Sequence, residues 1–135
     1  DNAAILRDLI ESTPGDEGKW FATAKDLALL DLAVQLAHRS PCDPKTLNRA
    51  ARDRATTDPA FAHEVALASL RWLSEGWGYE ITGLDVLAAY EAATRAARAI
   101  GCEDATRARI LALVEGDRSP DAFVAQVLRP RLGLA

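Results

Sequence analysis

Methionine is absent from all 135 residues. Asp1 is therefore not the start of an unprocessed polypeptide, and the chain is expected to be a fragment or processed product of a longer one. Cysteine is scarce. Cys42 and Cys102 form neither a C-x-x-C pair nor a dense framework, which excludes a disulfide-stapled miniprotein and predicts a reducing, cytoplasmic setting. The sequence leaves open whether the two are bridged. Long apolar runs are missing as well: the longest, such as Leu27 to Leu30, fall far short of the roughly 18–20 residues that span a bilayer. No signal-peptide pattern is visible, so no membrane partner is expected. The phosphate, dinucleotide and zinc-protease signatures G-x-x-x-x-G-K-[ST], G-x-G-x-x-G and H-E-x-x-H are also absent. Lysine occurs 3 times against 13 arginines, a bias typical of GC-rich coding sequence that predicts a bacterial source. The net charge of −4, from 16 basic and 20 acidic side chains, argues against the basic footprint of most nucleic-acid binders.

The composition favours helix. Ala (27) and Leu (18) dominate, whereas Val and Ile together supply 11 residues, and this balance suits helix over strand. With 49% apolar and 27% charged residues, the chain reads as one soluble globular domain over 1–135, long enough to bury roughly two thirds of its unfolded surface.

Proline and glycine punctuate the chain. Pro fits the first helical turn after a residue whose side chain accepts from free amides, and four pairs qualify: Thr13-Pro14, Asp43-Pro44, Asp58-Pro59 and Ser119-Pro120. Pro41, Gly76, Gly101 and Gly116 read as stops, the glycines as left-handed terminal residues. The pattern predicts helices over 2–12, 14–27, 29–39, 44–56, 59–75, 83–100 and 103–115, with a short eighth at 120–129. Ile5, Leu6, Leu9 and Ile10 form one stripe, as do Val86, Tyr90, Ala93, Ala97 and Ile100. The 59–75 helix is apolar around most of its circumference, leaving a wedge of Glu64, Arg71 and Glu75 for water, and belongs at the centre. No stretch alternates as a strand, and the best candidate, Gly78 to Thr82, is too short to seed a sheet. The fold class is all-α.

Residues 18–41, GKWFATAKDLALLDLAVQLAHRSP, carry Trp20 early in one helix, Ala24 four residues later, Ala33 and Ala37 in the next helix, and Pro41 after its end. This segment resembles a tetratricopeptide-type helical hairpin, with Ala28 and Leu30 where the Gly and Tyr of that motif stand and a first helix about one turn short. Residues 44–73 and 83–115 repeat the two-helix layout. The resemblance implies stacked helical hairpins, an α-solenoid-like bundle, acting as a protein-binding scaffold.

Candidate sites are few. His38, His63, Cys42 and Cys102 are the soft or borderline ligands, but none is spaced as a zinc pair, and a nucleophile–base pairing of Cys42 with His38 or His63 lacks an orienting third group. Two small buried thiols and two surface or boundary imidazoles are expected, with no cofactor or metal. Lys45, Arg49 and Arg52 at i, i+4 and i+7 put three cations on one line, opposite Leu47, Ala50 and Ala51. That line suits phosphates, an acidic peptide or plain solvation. The 72–81 segment gathers Trp72, Trp77 and Tyr79 around two glycines; either Trp77 folds back as the apolar contact of a helix cap, or Trp77 and Tyr79 are exposed together as a partner-binding patch. Trp20 and Phe21 point about 100° apart, so one is core and Trp20 is a third candidate partner contact. The tail around Phe123, Val124, Val127 and Leu128 is expected to dock within the chain, since so short a helix is not stable alone. The leading expectation is a non-enzymatic scaffold for protein–protein interaction or self-association. A nucleic-acid-associated accessory domain using Lys45, Arg49 and Arg52 comes second, and a small hydrolase or metal-dependent enzyme third.

Overall fold

The computed structural model describes residues 1–135, with eight α-helices, three 3₁₀ turns and no strand. No helix is long and apolar enough to cross a membrane. The chain divides into two compact units, Asp1–Cys42 and Asp43–Ala135.

In the first unit, α1 (Asn2–Glu11) starts on Asp1, whose carboxylate accepts from the Ala4 amide at 2.7 Å. Its buried line is narrower than the sequence predicts. Leu6 and Ile10, four residues apart, are buried, while Ile5 (59%) and Leu9 (38%) remain exposed. Thr13-Pro14 does not start a helix: the Thr13 hydroxyl points back to the Leu9 and Ile10 carbonyls and accepts from Trp20 Nε1 at 3.0 Å. Only a turn follows, then a 3₁₀ turn (Glu17–Trp20), and α2 is confined to Phe21–Asp26. Ala28, at φ +60°, separates α2 from α3 (Leu30–Arg39), and Ser40-Pro41 ends α3 as expected. Alanines at the α2–α3 contact, Ala24, Ala33 and Ala37, are wholly buried with Phe21 and Leu36, because small side chains let two short helices approach closely.

Gly18 closes this unit. Its amide donates to Ser40 Oγ at 2.6 Å and its carbonyl lies 3.4 Å from Cys42 Sγ. A Cβ here would sit 2.5 Å from the Pro41 carbonyl oxygen and 2.7 Å from Cys42 Sγ, so backbone, not a flexible tip, blocks any larger residue.

The second unit is organised around α5 (Pro59–Ser74), which packs against α4 (Pro44–Arg54), α6 (Gly83–Ile100) and α7 (Glu103–Glu115). Val65, Ala66, Ala68, Leu70 and Leu73 are buried, so the expectation of a central helix holds. Asp43 caps α4 through the Lys45 amide at 3.2 Å. Asp58 precedes α5 but makes no such bond, because its carboxylate is taken by Arg54 (3.2 Å) and the Thr57 hydroxyl (3.1 Å). A cap the proline rule does not find begins α6: Thr82 and Asp85 form a reciprocal capping box. Gly101 ends α6 at φ +74°, as a left-handed terminal residue should. Gly116 departs from that expectation; its φ is −94° and α7 closes in a right-handed turn. Ile100, placed by periodicity on the buried stripe of α6, is exposed, since it lies in the last turn beyond the packed neighbours.

Ser119-Pro120 opens a 3₁₀ turn, so the short eighth helix predicted over 120–129 starts later. Asp121 and Ala122 have φ of +54° and +51°, and α8 is only Phe123–Leu128. The Asp117 carboxylate accepts from the Ser119 and Ala125 amides at 2.9 Å each, and Ser119 Oγ from Val124. The tail docks within the unit: α8 packs on α6 and α7, and the Leu132 carbonyl accepts from Arg107 at 2.6 Å.

Replacement of Gly18 by Ala should destabilise the protein by about 1–3 kcal/mol, the usual cost of overpacking, whereas Gly101→Ala, with nothing within 4 Å of the added carbon, should cost only the left-handed backbone penalty of about 1 kcal/mol. Denaturant unfolding of both variants checks the order.

Candidate functional site

The proline start of α4 sets the phase of its faces. Leu47, Ala50 and Ala51 turn inward and are buried, which forces Lys45, Arg49 and Arg52 to the outside. The structure brings these three together with Arg95 of α6 around a groove of about 400 Å³ between the two helices. Ala88 and Ala92 line it too; their small side chains leave the space that larger residues would fill. Asp85 and Glu91 are its only carboxylates. Asp85 is occupied as the helix cap, accepting from the Thr82 amide at 2.9 Å, and Glu91 faces Arg131 at 3.6 Å. Arg52 shares its charge with Asp53 at 3.3 Å. With four cations and two carboxylates, the groove is positive in a chain whose net charge is −4.

Asn48 fixes the groove wall. Its side chain donates to the Asp85 carbonyl at 3.0 Å and accepts from the buried Ser69 hydroxyl at 2.7 Å, which ties α4, α5 and α6 at one point. The sequence reading did not single out Asn48. A lone polar residue on the inner edge of a basic helix was the available signal.

The aromatic loop follows α5. Gly76 at φ +89° reverses the chain, and the Trp77 amide donates to the Trp72 carbonyl at 3.0 Å, the backbone closure of a left-handed cap. The rings are not consumed by that cap. Trp77 is 50%, Tyr79 80% and nearby Leu84 77% exposed, so the fold-back contact gives way to the alternative of joint exposure. Behind Trp77 runs a cleft of about 340 Å³ whose walls include Leu73, Ile81, Pro120 and Phe123. Loop and groove meet at one residue: Lys45 Nζ donates to the Glu80 carbonyl at 3.1 Å. Lys45 thus ties the basic face of α4 to the backbone of the loop that carries the exposed aromatics.

Trp20 lies in the first unit, half-buried, held by its bond to Thr13 and covered by Lys19 Nζ at 5.3 Å from the ring centre. Phe21 is the core member of the pair. Cys42 is buried with its sulfur facing the carbonyls of Gly18, Leu36 and Ser40, and both cysteines are thiols.

His63 corrects the expectation of a surface or boundary imidazole: it is only 6% exposed. Being on the all-round apolar α5, it is carried inward, where its Nε2 lies 2.7 Å from Thr106 Oγ1 and 3.6 Å from Cys102 Sγ, and its Nδ1 3.1 Å from Glu64. Cys102 is half-buried rather than fully enclosed. Residues that spacing alone keeps apart are therefore neighbours across α5 and α7. No group of three or more His, Cys, Asp or Glu side chains is arranged to hold a metal ion.

Comparison with family models, with curated proteins and with solved structures gives no match. Function rests on the geometry.

If Lys45 ties the loop to α4, Lys45→Met should quicken amide exchange across residues 77–81 while changing global stability by no more than about 0.5–1 kcal/mol. Hydrogen-exchange mass spectrometry reads both effects.

Proposed function

We propose that this protein is a non-enzymatic helical scaffold, built as stacked helical hairpins, that binds an acidic segment of a partner protein along the α4–α6 groove. An apolar side chain of that segment packs against Trp77 and Tyr79. The observation that carries this reading is the Lys45–Glu80 bond at 3.1 Å, which sets the exposed aromatics at the end of a row of cations. Flat amphipathic rings supply contact area at low entropic cost, and the cations select sign and register. The resemblance of residues 18–41 to a tetratricopeptide-type hairpin supports the scaffold reading, and two thiols suit a cytoplasmic location.

An acidic peptide fits better than a nucleic acid. Four cations offset by two groove carboxylates neutralise few phosphates, and the chain's net charge of −4 repels a polyanion at long range. The partner's carboxylates need only local complementarity.

The test uses a fluorescein-labelled peptide that alternates paired Glu with Leu, read by anisotropy, beside its Gln-for-Glu counterpart and a DNA duplex of similar length. The acidic peptide should bind, weaken with salt, and lose about tenfold in affinity with Arg49→Glu or with Trp77→Ala combined with Tyr79→Ala. Equal binding of the Gln peptide, tighter binding of the duplex, or a homodimer that leaves the peptide free would overturn the proposal.

A further inference from the structure

The second unit holds a cluster outside the groove in which a thiol, a hydroxyl, an imidazole and a carboxylate follow one another. Cys102 is the residue before α7, and its sulfur is 3.4 Å from Thr106 Oγ1 and 3.6 Å from His63 Nε2. The Thr106 oxygen is 2.7 Å from the same nitrogen. On the other side of the ring, Nδ1 is 3.1 Å from Glu64 Oε2. A carboxylate only accepts, so the neutral ring carries its proton on Nδ1 and presents Nε2 as the acceptor towards Cys102 and Thr106. Arg109 grips Glu64 with two bonds, 2.7 and 3.2 Å, and so orients the carboxylate that orients the ring. The order is that of an activated nucleophile: thiol, base, orienter.

The surroundings decide what such a thiol meets. Thr106 also walls a cavity of about 170 Å³ between α6, α7 and the C-terminal turn, in which Arg98 and Arg107 face a single carboxylate, Glu103. The Cys102 side chain makes no bond to the first amides of α7. Removal of the proton therefore falls to His63.

We propose that Cys102 is a reactive thiol that exchanges with low-molecular-weight disulfides bearing carboxylates, with His63 as its base. The Cys102 proton passes to His63 Nε2, directly or through the Thr106 hydroxyl. Sγ attacks one sulfur of R–S–S–R, a new S–S bond forms, and the old one breaks. The departing thiolate takes the proton from the imidazolium and leaves as R–SH. Cys102 is oxidised to a mixed disulfide and the leaving sulfur is reduced. The cavity holds the carboxylated group that stays attached to Cys102. Glu64 and Arg109 are positioning residues.

The probes are glutathione disulfide, which carries carboxylates, and cystamine, which carries amines, each added to the whole protein at pH 7 and followed by mass spectrometry of the modified peptides. Cys102 should form its mixed disulfide with glutathione disulfide at least about tenfold faster than free cysteine, only a few per cent of which is thiolate at that pH, and ahead of both Cys42 and its own reaction with cystamine. His63→Gln should return the rate to that of a free thiol. Glu64→Gln, which leaves the buried ring in place, should slow exchange several-fold and guards against a His63 variant that fails to fold. Modification of Cys102 no faster than free cysteine, or an unchanged rate in a folded Glu64→Gln or His63→Gln protein, overturns the proposal. Cystamine reacting as fast as glutathione disulfide overturns the assignment of the cavity.

Discussion

The burial of α5 on nearly every side is the constraint on which the second unit depends. A helix with Phe61, Val65, Leu70 and Leu73 distributed around its circumference has no orientation that satisfies water. It must be covered, and α4, α6 and α7 cover it. Each of these then has one face committed, and what remains outward on them is dictated by the rest of their sequence. For α4 the remainder is Lys45, Arg49 and Arg52; for α6 it includes Glu91 and Arg95.

The same constraint turns polar residues inward. Ser69 and His63 lie on α5 and cannot reach solvent, so each must find a partner inside, since an unpaired buried donor or acceptor costs about 1–3 kcal/mol. Ser69 finds Asn48 and the Pro44 carbonyl; His63 finds Thr106 and Glu64. The first arrangement holds the wall of the basic groove. The second collects a thiol beside an imidazole at the turn between α6 and α7.

Most of the helix plan was legible. Asp43-Pro44, Pro59 and Gly101 mark real boundaries because local steric and hydrogen-bonding rules act there without help from tertiary structure. The failures have physical reasons too. Thr13 offers its hydroxyl backwards to α1 and to Trp20, so Pro14 starts nothing, and Asp58 spends its carboxylate on Arg54. At Ser119-Pro120 the chain turns through two left-handed residues, which no periodic pattern announces. The basic line on α4 was readable from i, i+4, i+7 spacing, and the aromatic segment from its composition. That Trp77 and Tyr79 stay exposed, that Arg95 joins the groove, and that Lys45 reaches Glu80 all depend on tertiary packing. The Cys102–His63 contact joins positions 39 apart, and no local spacing encodes it.

Four residues other than glycine hold positive φ: Ala28, Glu80, Asp121 and Ala122. Each sits between α-helices, and each stores on the order of 1 kcal/mol of backbone strain. Cooperative helices resist opening, while these junctions release energy when they do. Warming the protein should therefore loosen it from its joints inward: between α2 and α3, at the aromatic loop, and ahead of α8. The rods themselves, α5 above all, would be the last to yield, so a protease added near the onset of melting would cut at the hinges and leave whole helices behind.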